Sequence, residues 1–446
     1  MWGFITCMND VLIPHLKNLF NLSYLQAMLV QFCFFGAYFI GSVIYFTISY
    51  FKGDPINKIG YKSGILLGLL LSAIGCFMFY PAASYSAYGL FLSALFVLGL
   101  GFTLLQISAN AYVSLLGPED SASSRLNLTQ AFNALGTTIA PVLGGYLILE
   151  FFAVNGVVSA ESTKIPYLIF GGLFILLGII IYFVRLPQFA SEAIESKGLG
   201  ALKFTNLKLG VLGIFFYVGG EVAIGSFIVS LLKQEDIAGL AEAVGKNYLA
   251  LYWGGAMIGR FIGAISLNGG ISAAKKTIYM VLTAIAVFTI ILFIVDLTFG
   301  QISYFLIFIV LNLLAFMIGK SSPGRTLAIF AGINVILLLI TIFSGGMLAM
   351  WTILAIGLFN SIMYSNIYTL AIAGLGKYTS QGSSLLVMAI LGGAVIPVVQ
   401  GALADVVGIQ KALFLPVLCY VYIVYFGYYC WKHLGHVEVD GVKGGH

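Results

Sequence analysis

The stretch AFNALGTTIAPVLGGYL, at residues 131–147, recurs in altered form as VMAILGGAVIPVVQGAL at residues 387–403. Both belong to a longer gapless alignment that lays residues 98–149 over residues 354–405. The matching positions are Leu98, Gly101, Asn110, Tyr112, Ser124, Leu135, Gly136, Pro141, Val142, Gly145 and Leu147 with Leu354, Gly357, Asn366, Tyr368, Ser380, Leu391, Gly392, Pro397, Val398, Gly401 and Leu403. A shared Asn, a shared Pro and three shared Gly in one register exceed what apolar composition predicts. Internal repeats are common in secondary transporters, which hold their substrate between the repeats, so the duplication predicts such a protein.

The composition places most of the surface in lipid. Hydrophobic residues make up 61% of the 446 positions and charged residues 8%, and the mean hydropathy is +1.05. A soluble protein needs about a quarter of its residues charged, so this chain is predicted to be a membrane protein. Its net charge of +5 comes from Lys and Arg in the loops, and therefore indicates topology rather than a nucleic-acid partner. The five cysteines are scattered without a CxxC pair, which predicts neither a disulfide framework nor a metal site.

The hydrophobic runs predict an all-α, polytopic protein with about fourteen transmembrane helices. A helix needs about 20 apolar residues to cross the hydrocarbon core. The candidate spans lie near residues 1–16, 25–51, 61–81, 86–116, 125–152, 166–185, 208–232, 247–268, 276–298, 302–319, 325–345, 348–374, 382–404 and 411–431. With the N-terminus placed inside, sixteen of the 21 Lys and Arg residues fall on the cytoplasmic side. This bias predicts that both termini are cytoplasmic.

The repeat divides the chain into two predicted six-helix bundles, at residues 1–185 and 208–432. The polar stretch 186–207 is the predicted cytoplasmic linker, and residues 433–446 are a cytoplasmic tail. At the start of each half the alignment lays Asp10 over Glu221 with a smaller offset than further along. The second half therefore holds extra residues, and we expect an inserted helical hairpin near residues 276–319.

Two carboxylates lie well inside predicted spans, Asp10 and Glu221. A charge within the bilayer costs several kcal/mol, so these residues are candidates for function. Both are candidate proton-coupling residues, because a buried carboxyl group is neutral when protonated and charged when it releases the proton. The structural alternative is that Asp10 caps or pairs near the end of its helix.

The fifth predicted span carries a stripe of polar side chains, Asn127, Gln130, Asn133 and Thr137, at spacings of three to four residues. This spacing places them on one face of a helix. Amide groups donate and accept hydrogen bonds, which suits the hydroxyl groups of a sugar. They also join helices to one another, which is the structural alternative. The predicted substrate-binding residues are Trp2, Gln106, Asn110, Gln130, Asn133, Trp253, Asn360 and Tyr364, with Trp2 and Trp253 as candidates for stacking on a sugar ring.

Several motifs are absent from the sequence, among them HExxH, GxSxG and GxxxxGK[ST]. An enzyme, a cofactor, a metal or ATP hydrolysis is therefore not expected, which leaves an ion gradient or simple diffusion as the energy source. Gly255, Gly259 and Gly263 form a double GxxxG, which predicts close helix packing. Arg260 within it is expected to act as a gate or an anchor.

Long motifs along the chain point to a known group. They are MNDVLIPHLK (8–17), QFCFFGAY (31–38), SANAYVSLLGPE (108–119), SRLNLTQAFNALGTTIAP (124–141), GGEVAIGSF (219–227), GRFIG (259–263) and LGKYTSQGSSLLVMAILGGAVIPVVQGALAD (375–405). The chain resembles the fucose–galactose–glucose:proton symporters of the major facilitator superfamily, especially the bacterial glucose/galactose branch. The resemblance implies the major facilitator fold. It also implies that Asp10 is the protonation site of the first half, that Gln130 and Asn133 hold the sugar, and that Trp2 lines the cavity.

Some positions depart from the fucose branch. Gln106 stands where that branch has a second carboxylate, and Cys7 stands where it has an Asn, which argues against fucose. The expected function is proton-coupled symport of glucose or galactose by alternating access, by a monomer in the lipid bilayer of a bacterial inner membrane. The alternatives are sodium coupling of a hexose, transport of fucose or another monosaccharide, a channel, and a membrane sugar sensor that does not transport.

Overall fold

A computed structural model describes residues 1–52, 55–110, 112–113, 116, 122–152, 159–187, 200–267, 272–375 and 379–434. Most of the predicted linker and tail lie outside these residues. Over the described ranges the chain is helical and contains no strand.

Fourteen long helices follow one another along the described chain. They are α1 (Trp2–Phe20), α2 (Tyr24–Ile48), α3 (Tyr61–Ser84), α4 (Tyr88–Ala109), α5 (Ala122–Ile139), α6 (Ala160–Phe183), α7 (Thr205–Leu232), α8 (Glu242–Ser266), α9 (Ala274–Ile294), α10 (Phe305–Gly319), α11 (Pro323–Phe343), α12 (Gly346–Ile372), α13 (Leu385–Val407) and α14 (Ile409–His433). Eleven are long and apolar enough to cross a membrane; α1, α5 and α10 are the others. Polar residues lower the hydropathy of α1 and α5, and α10 has only 15 residues. The all-helical prediction is confirmed.

The helices pack in the same pattern in each half of the chain. In the first half α4 packs against α2 and α3, and in the second half α12 packs against α8 and α11. Likewise α5 packs against α1, as α13 packs against α7. The segments that align in sequence thus occupy corresponding places. The two halves meet mainly where α5 packs against α8 and α2 against α13.

Two helices, α9 and α10, stand where the sequence predicts an inserted hairpin. The side chain of Ile291 in α9 packs on Gly254 of α8, and Asn312 Nδ2 in α10 donates to the Leu358 carbonyl of α12 at 3.0 Å. At 1.5 Å per residue, the 15 residues of α10 cover about 22 Å of the hydrocarbon thickness of about 30 Å. The pair therefore packs against α8 and α12 of the second half.

The double GxxxG of α8 forms a packing face. A Cβ on Gly255 would lie 3.0 Å from the Leu358 nitrogen and 3.1 Å from Phe305 Cζ, and the next glycine, Gly259, lies against Ser361. These glycines let α8 approach α12 and α10 closely. The opposite face of α8, which carries Trp253 and Arg260, is thereby directed toward the first half.

Candidate substrate site

A cavity of about 810 Å³, including the part that is open to solvent, lies between the two halves. It is lined by Trp2, Gly3, Thr6, Phe35, Tyr38, Gln106, Gln130, Asn133, Thr137, Tyr217, Val218, Glu221, Val222, Trp253, Arg260, Tyr364, Ser365 and Ile390. The lining combines aromatic rings with amide and hydroxyl groups. Such a lining suits a cyclic polyol, whose C–H faces pack on aromatic rings and whose hydroxyl groups bond to amides and hydroxyls. Within the part of the lining that the structure describes, Glu221 and Arg260 alone carry a charge.

The first half contributes mainly uncharged polar groups. Gln130, Asn133 and Thr137 reach the cavity from one face of α5, as their spacing predicts. Asn133 Oδ1 also accepts a hydrogen bond from the Gly3 backbone nitrogen at 2.7 Å. Asn133 thus fixes the beginning of α1, which presents Trp2 to the cavity.

Asp10 is buried behind the cavity, with 3% of its surface exposed. Gln31 Nε2 in α2 donates to Asp10 Oδ1 at 3.0 Å, and Ser226 Oγ in α7 lies 3.2 Å from the same oxygen. Cys7 Sγ lies 3.7 Å from Asp10 Oδ2. The group therefore joins α1 and α2 of the first half to α7 of the second through neutral partners.

A glycine allows this contact between the halves. A Cβ on Gly225 would lie 3.3 Å from Asp10 Oδ2 and 3.2 Å from Trp253 Cζ2. Any side chain here would push against the carboxyl group and the indole ring. The bare backbone of α7 thus lets Asp10 approach within contact of the cavity residue Trp253.

The hydroxyl of Ser226 suits both protonation states of Asp10. Its single proton has a nearer acceptor in the Val222 carbonyl, at 2.8 Å. With the proton placed there, a lone pair of Oγ faces Asp10 and accepts from the carboxyl group when that group is protonated. When Asp10 is ionised, Gln31 still donates to it. The carboxyl group therefore has a hydrogen-bonding partner before and after proton release.

Glu221 has a different environment, in α7 of the second half. Tyr217 Oη donates to Glu221 Oε1 at 2.7 Å, and Arg260 Nη2 lies 3.9 Å from the same oxygen. Arg260 is held separately, because its Nε donates to the Ser361 carbonyl at 3.1 Å and its Nη1 to the Gln130 carbonyl at 3.5 Å. The last of these bonds reaches across to α5 in the first half.

A buried polar network lies behind this pair. Asn360 Nδ2 donates to Tyr252 Oη at 3.0 Å, and Asn360 Oδ1 accepts from Tyr420 Oη at 2.7 Å and from Asn334 Nδ2 at 2.8 Å. The Asn360 backbone carbonyl lies 3.2 Å from Tyr217 Oη. The network connects α8, α11, α12 and α14 with the tyrosine that orients Glu221.

Beyond the cavity, at the end of the molecule where α1 ends and α8 begins, polar side chains form hydrogen bonds directly between the two halves. Asn18 Nδ2 at the end of α1 donates to Glu242 Oε1 at the start of α8, at 2.8 Å. Asp405 at the end of α13 accepts from the backbone nitrogens of Tyr24 and Leu25, at 3.0 and 3.1 Å. These two nitrogens belong to the first turn of α2, where backbone donors lack partners within the helix. The halves are therefore hydrogen-bonded to each other at this end, beyond the cavity.

The structure brings seven of the ten predicted site residues to the cavity. They are Trp2, Gln106, Gln130, Asn133, Glu221, Trp253 and Tyr364. Asp10 lies behind the cavity, beside Trp253, and Asn360 lies in the buried network. The side chain of Asn110 falls outside the described part of the chain, as do those of Arg125 and Asn127.

Sequence reasoning missed the groups that surround the two carboxylates. Gln31 and Ser226 are single polar residues in apolar runs, separated by most of the first half of the chain. Tyr217 stands four residues before Glu221, and this spacing, which places both on one face of α7, could have indicated it. Arg260, expected to be a gate or an anchor, lines the cavity from the same face of α8 as Trp253.

Comparison with known proteins places the chain in a family. The family model of the Major Facilitator Superfamily matches residues 3–330. The glucose/galactose transporter of Brucella abortus is 46% identical over 432 residues, which cover 96% of this chain and 90% of the relative. The putative glucose/galactose transporter of Helicobacter pylori is 38% identical over 439 residues, which cover 96% of this chain and 93% of the relative.

The fold also matches that of a solved relative. The crystal structure of the fucose:proton symporter of E. coli superposes with a TM-score of 0.67 at 29% identity, and the match covers 96% of this chain and 95% of that one. These similarities extend over nearly the whole chain and include both halves. The chain belongs to the Major Facilitator Superfamily, in the branch that contains the glucose/galactose transporters and the fucose–proton symporters.

Proposed function

We propose that the protein is a secondary active transporter that carries a neutral hexose, glucose or galactose, together with a proton. One observation carries the proposal: Asp10 is buried at the contact between the two halves, where every described group that hydrogen-bonds to it is neutral. A carboxyl group in such a place is tolerated best when it is protonated. Loading a proton and a sugar together would then favour reorientation of the loaded carrier.

We propose that transport proceeds by alternating access between the two halves. Two six-helix bundles, at residues 1–185 and 208–432, would move against each other, and the hairpin near 276–319 would bring the number of spans to fourteen. With both termini on the cytoplasmic side of a bacterial inner membrane, the hydrogen bonds of Asn18 and Asp405 lie at the outer end. The conformation described would then be closed to the outside, with the cavity in the cytoplasmic half. The transporter would act as a monomer.

The surroundings of Glu221 favour a proton over sodium as the coupling ion. A sodium site needs several oxygen ligands without a competing cation, and the guanidinium of Arg260 lies 3.9 Å from Glu221. Sequence reasoning proposed Glu221 as a second coupling residue, but its contact with Arg260 favours a role in binding.

Uptake into proteoliposomes tests the proposal. Labelled galactose, glucose and fucose are supplied with an inward proton gradient and without sodium. We expect galactose and glucose to accumulate, and a protonophore to abolish the accumulation. Uptake that requires sodium would refute proton coupling, uptake of fucose alone would change the substrate, and no uptake of any sugar would overturn the proposed function.

A further inference from the structure

The charged groups among the described residues of the cavity lining form one pair. Glu221 and Arg260 supply one negative and one positive charge, and their side chains are only 11% and 10% exposed. Their facing atoms, Glu221 Oε1 and Arg260 Nη2, are 3.9 Å apart, which is beyond hydrogen-bonding distance. The fixed charge of the described lining therefore sums to zero, while each member of the pair keeps the capacity to bond to a ligand.

Each member is held in position independently of the other. Tyr217 donates to Glu221 from the preceding turn of α7. Arg260 donates to the backbone carbonyls of Ser361 and Gln130. Backbone carbonyls stay in place when Glu221 is replaced, so Arg260 would remain in the cavity with its charge uncompensated.

This arrangement discriminates by charge. A neutral sugar can donate a hydroxyl proton to Glu221 and accept a proton from Arg260 without altering the balance. A sugar that carries a carboxylate or an ammonium group would bring one uncompensated charge beside two side chains that are themselves largely buried, at a cost in free energy. Specificity of this kind arises from rejection of the wrong ligand as well as attraction of the right one.

We propose that the Glu221–Arg260 pair determines the charge selectivity of the transporter, admitting neutral hexoses and excluding hexuronates and amino sugars. The inference rests on the proposed function, since it assigns the substrate class of the same cavity. It predicts that replacing one member of the pair changes which charged sugars are excluded, because the other member then keeps its charge without a partner. Glu221→Gln leaves Arg260 as an unpaired cation that can bond to the carboxylate of galacturonate. Arg260→Gln leaves Glu221 as a partner that the ammonium group of galactosamine can bind in place of the guanidinium.

Binding of galactose, galacturonate and galactosamine to the purified protein and its variants tests this rule by calorimetry. We expect galacturonate to bind E221Q at least about tenfold more tightly than it binds the unmodified protein, which corresponds to about 1.4 kcal/mol. Galactosamine should show the same gain with R260Q. In the double variant E221Q/R260Q the charges are balanced again, and both gains should disappear.

The outcomes separate this inference from the proposed function. If the unmodified protein binds no neutral hexose, the proposed function fails, while the gains of the single variants still report on the pair. If galactose binds the unmodified protein but neither single variant gains affinity for its charged sugar, the inference is overturned. Gains that persist in the double variant would also overturn it, because they would come from altered shape rather than from charge. Thermal unfolding of each variant identifies any that fails to fold, and for such a variant Glu221→Met or Arg260→Met makes the same charge change with an apolar side chain.

Discussion

Asp10 and Glu221 are carboxylates at matching positions in the two halves of the chain, yet their surroundings differ. Asp10 contacts an amide, a hydroxyl and a thiol, from Gln31, Ser226 and Cys7. Glu221 contacts a phenol and a guanidinium, the latter from Arg260. A carboxylate with neutral partners can lose its charge without leaving another charge unpaired, whereas a carboxylate beside a cation cannot. The duplicated fold thus offers one position suited to proton exchange and one suited to a fixed charge.

The largest expected effect comes from Asp10→Asn, because it makes the first of these positions permanently neutral. The variant mimics the protonated carboxyl group, so it should still exchange sugar across the membrane. It should not concentrate sugar under a proton gradient, because nothing releases a proton. Uptake and exchange of labelled galactose in proteoliposomes measure the two activities separately.

The matched variant is Glu221→Gln in the same assay. Since we assign Glu221 to binding, this variant should bind galactose more weakly but still accumulate it under a proton gradient. Accumulation by D10N, or its complete loss in an E221Q variant that still exchanges sugar, would reverse the roles assigned to the two carboxylates.

A pair of tyrosine variants tests whether the buried carboxyl group of Glu221 is ionised. Tyr217→Phe removes the phenol that donates to Glu221, and Tyr420→Phe removes one that donates to the neutral Asn360. A buried hydrogen bond to a charged group contributes about 1.5–3 kcal/mol and one between neutral groups about 0.5–1.5 kcal/mol. Thermal unfolding in detergent should therefore show the larger loss of stability for Tyr217→Phe. Equal losses from the two variants would indicate that Glu221 is neutral.

The sequence predicted those parts of this arrangement that follow from periodicity and composition. The amide stripe of α5 reached the cavity because three- to four-residue spacing fixes one face of a helix. The eleven long apolar helices lie where the hydrophobic runs predict membrane spans, because a helix surrounded by lipid needs a long run of apolar residues. The number of spans is harder to predict, because α10 is short and α1 and α5 are polar.

The hydrogen-bonding partners of the two carboxylates could not be predicted from local sequence patterns, because they come together only through tertiary contacts. Gln31 and Ser226 meet at Asp10 from helices far apart in the chain, and neither belongs to a polar stripe. Asn360 was predicted to bind substrate, but both ends of its amide are taken by other side chains. Periodicity places a residue on a face of its helix, and only the packing determines whether that face borders a cavity or another helix.

Some hydrogen bonds of this protein join groups within one half of the chain, and others join one half to the other. Asp405 in α13 accepts two backbone hydrogen bonds from the first turn of α2, in the other half. Loss of a helix-capping side chain costs about 0.5–2 kcal/mol, and here the cost falls only on the conformation that is closed at this end. Asp405→Ala should therefore favour opening there by about two- to thirtyfold.

The thiol of Cys7 reports this opening, because it is buried beside Asp10. A variant with Cys7 as its sole cysteine is treated with a membrane-impermeant maleimide on the outer side. Asp405→Ala should raise the labelling rate, while Asp405→Asn, which keeps one oxygen acceptor, should raise it less. Unchanged labelling in Asp405→Ala would mean that these two hydrogen bonds do not hold the halves together.

The smallest expected effect is that of Ser226→Ala, which removes one hydroxyl from the contact between α7 and Asp10. Gln31 still donates to Asp10 in this variant but loses its second acceptor, the Ser226 Oγ that lies 3.0 Å from its Nε2. The cost is therefore that of one to two neutral hydrogen bonds, each at the low end of about 0.5–1.5 kcal/mol. The labelling rate of Cys7 should rise by about twofold to fivefold, in proportion to a loss of about 0.5–1 kcal/mol.

The matched control is Ser93→Ala, because Ser93 makes the same bond to the carbonyl four residues earlier but is exposed on α4. If both serine variants change the labelling equally, the effect comes from helix geometry, and the hydroxyl beside Asp10 has no part in joining the halves.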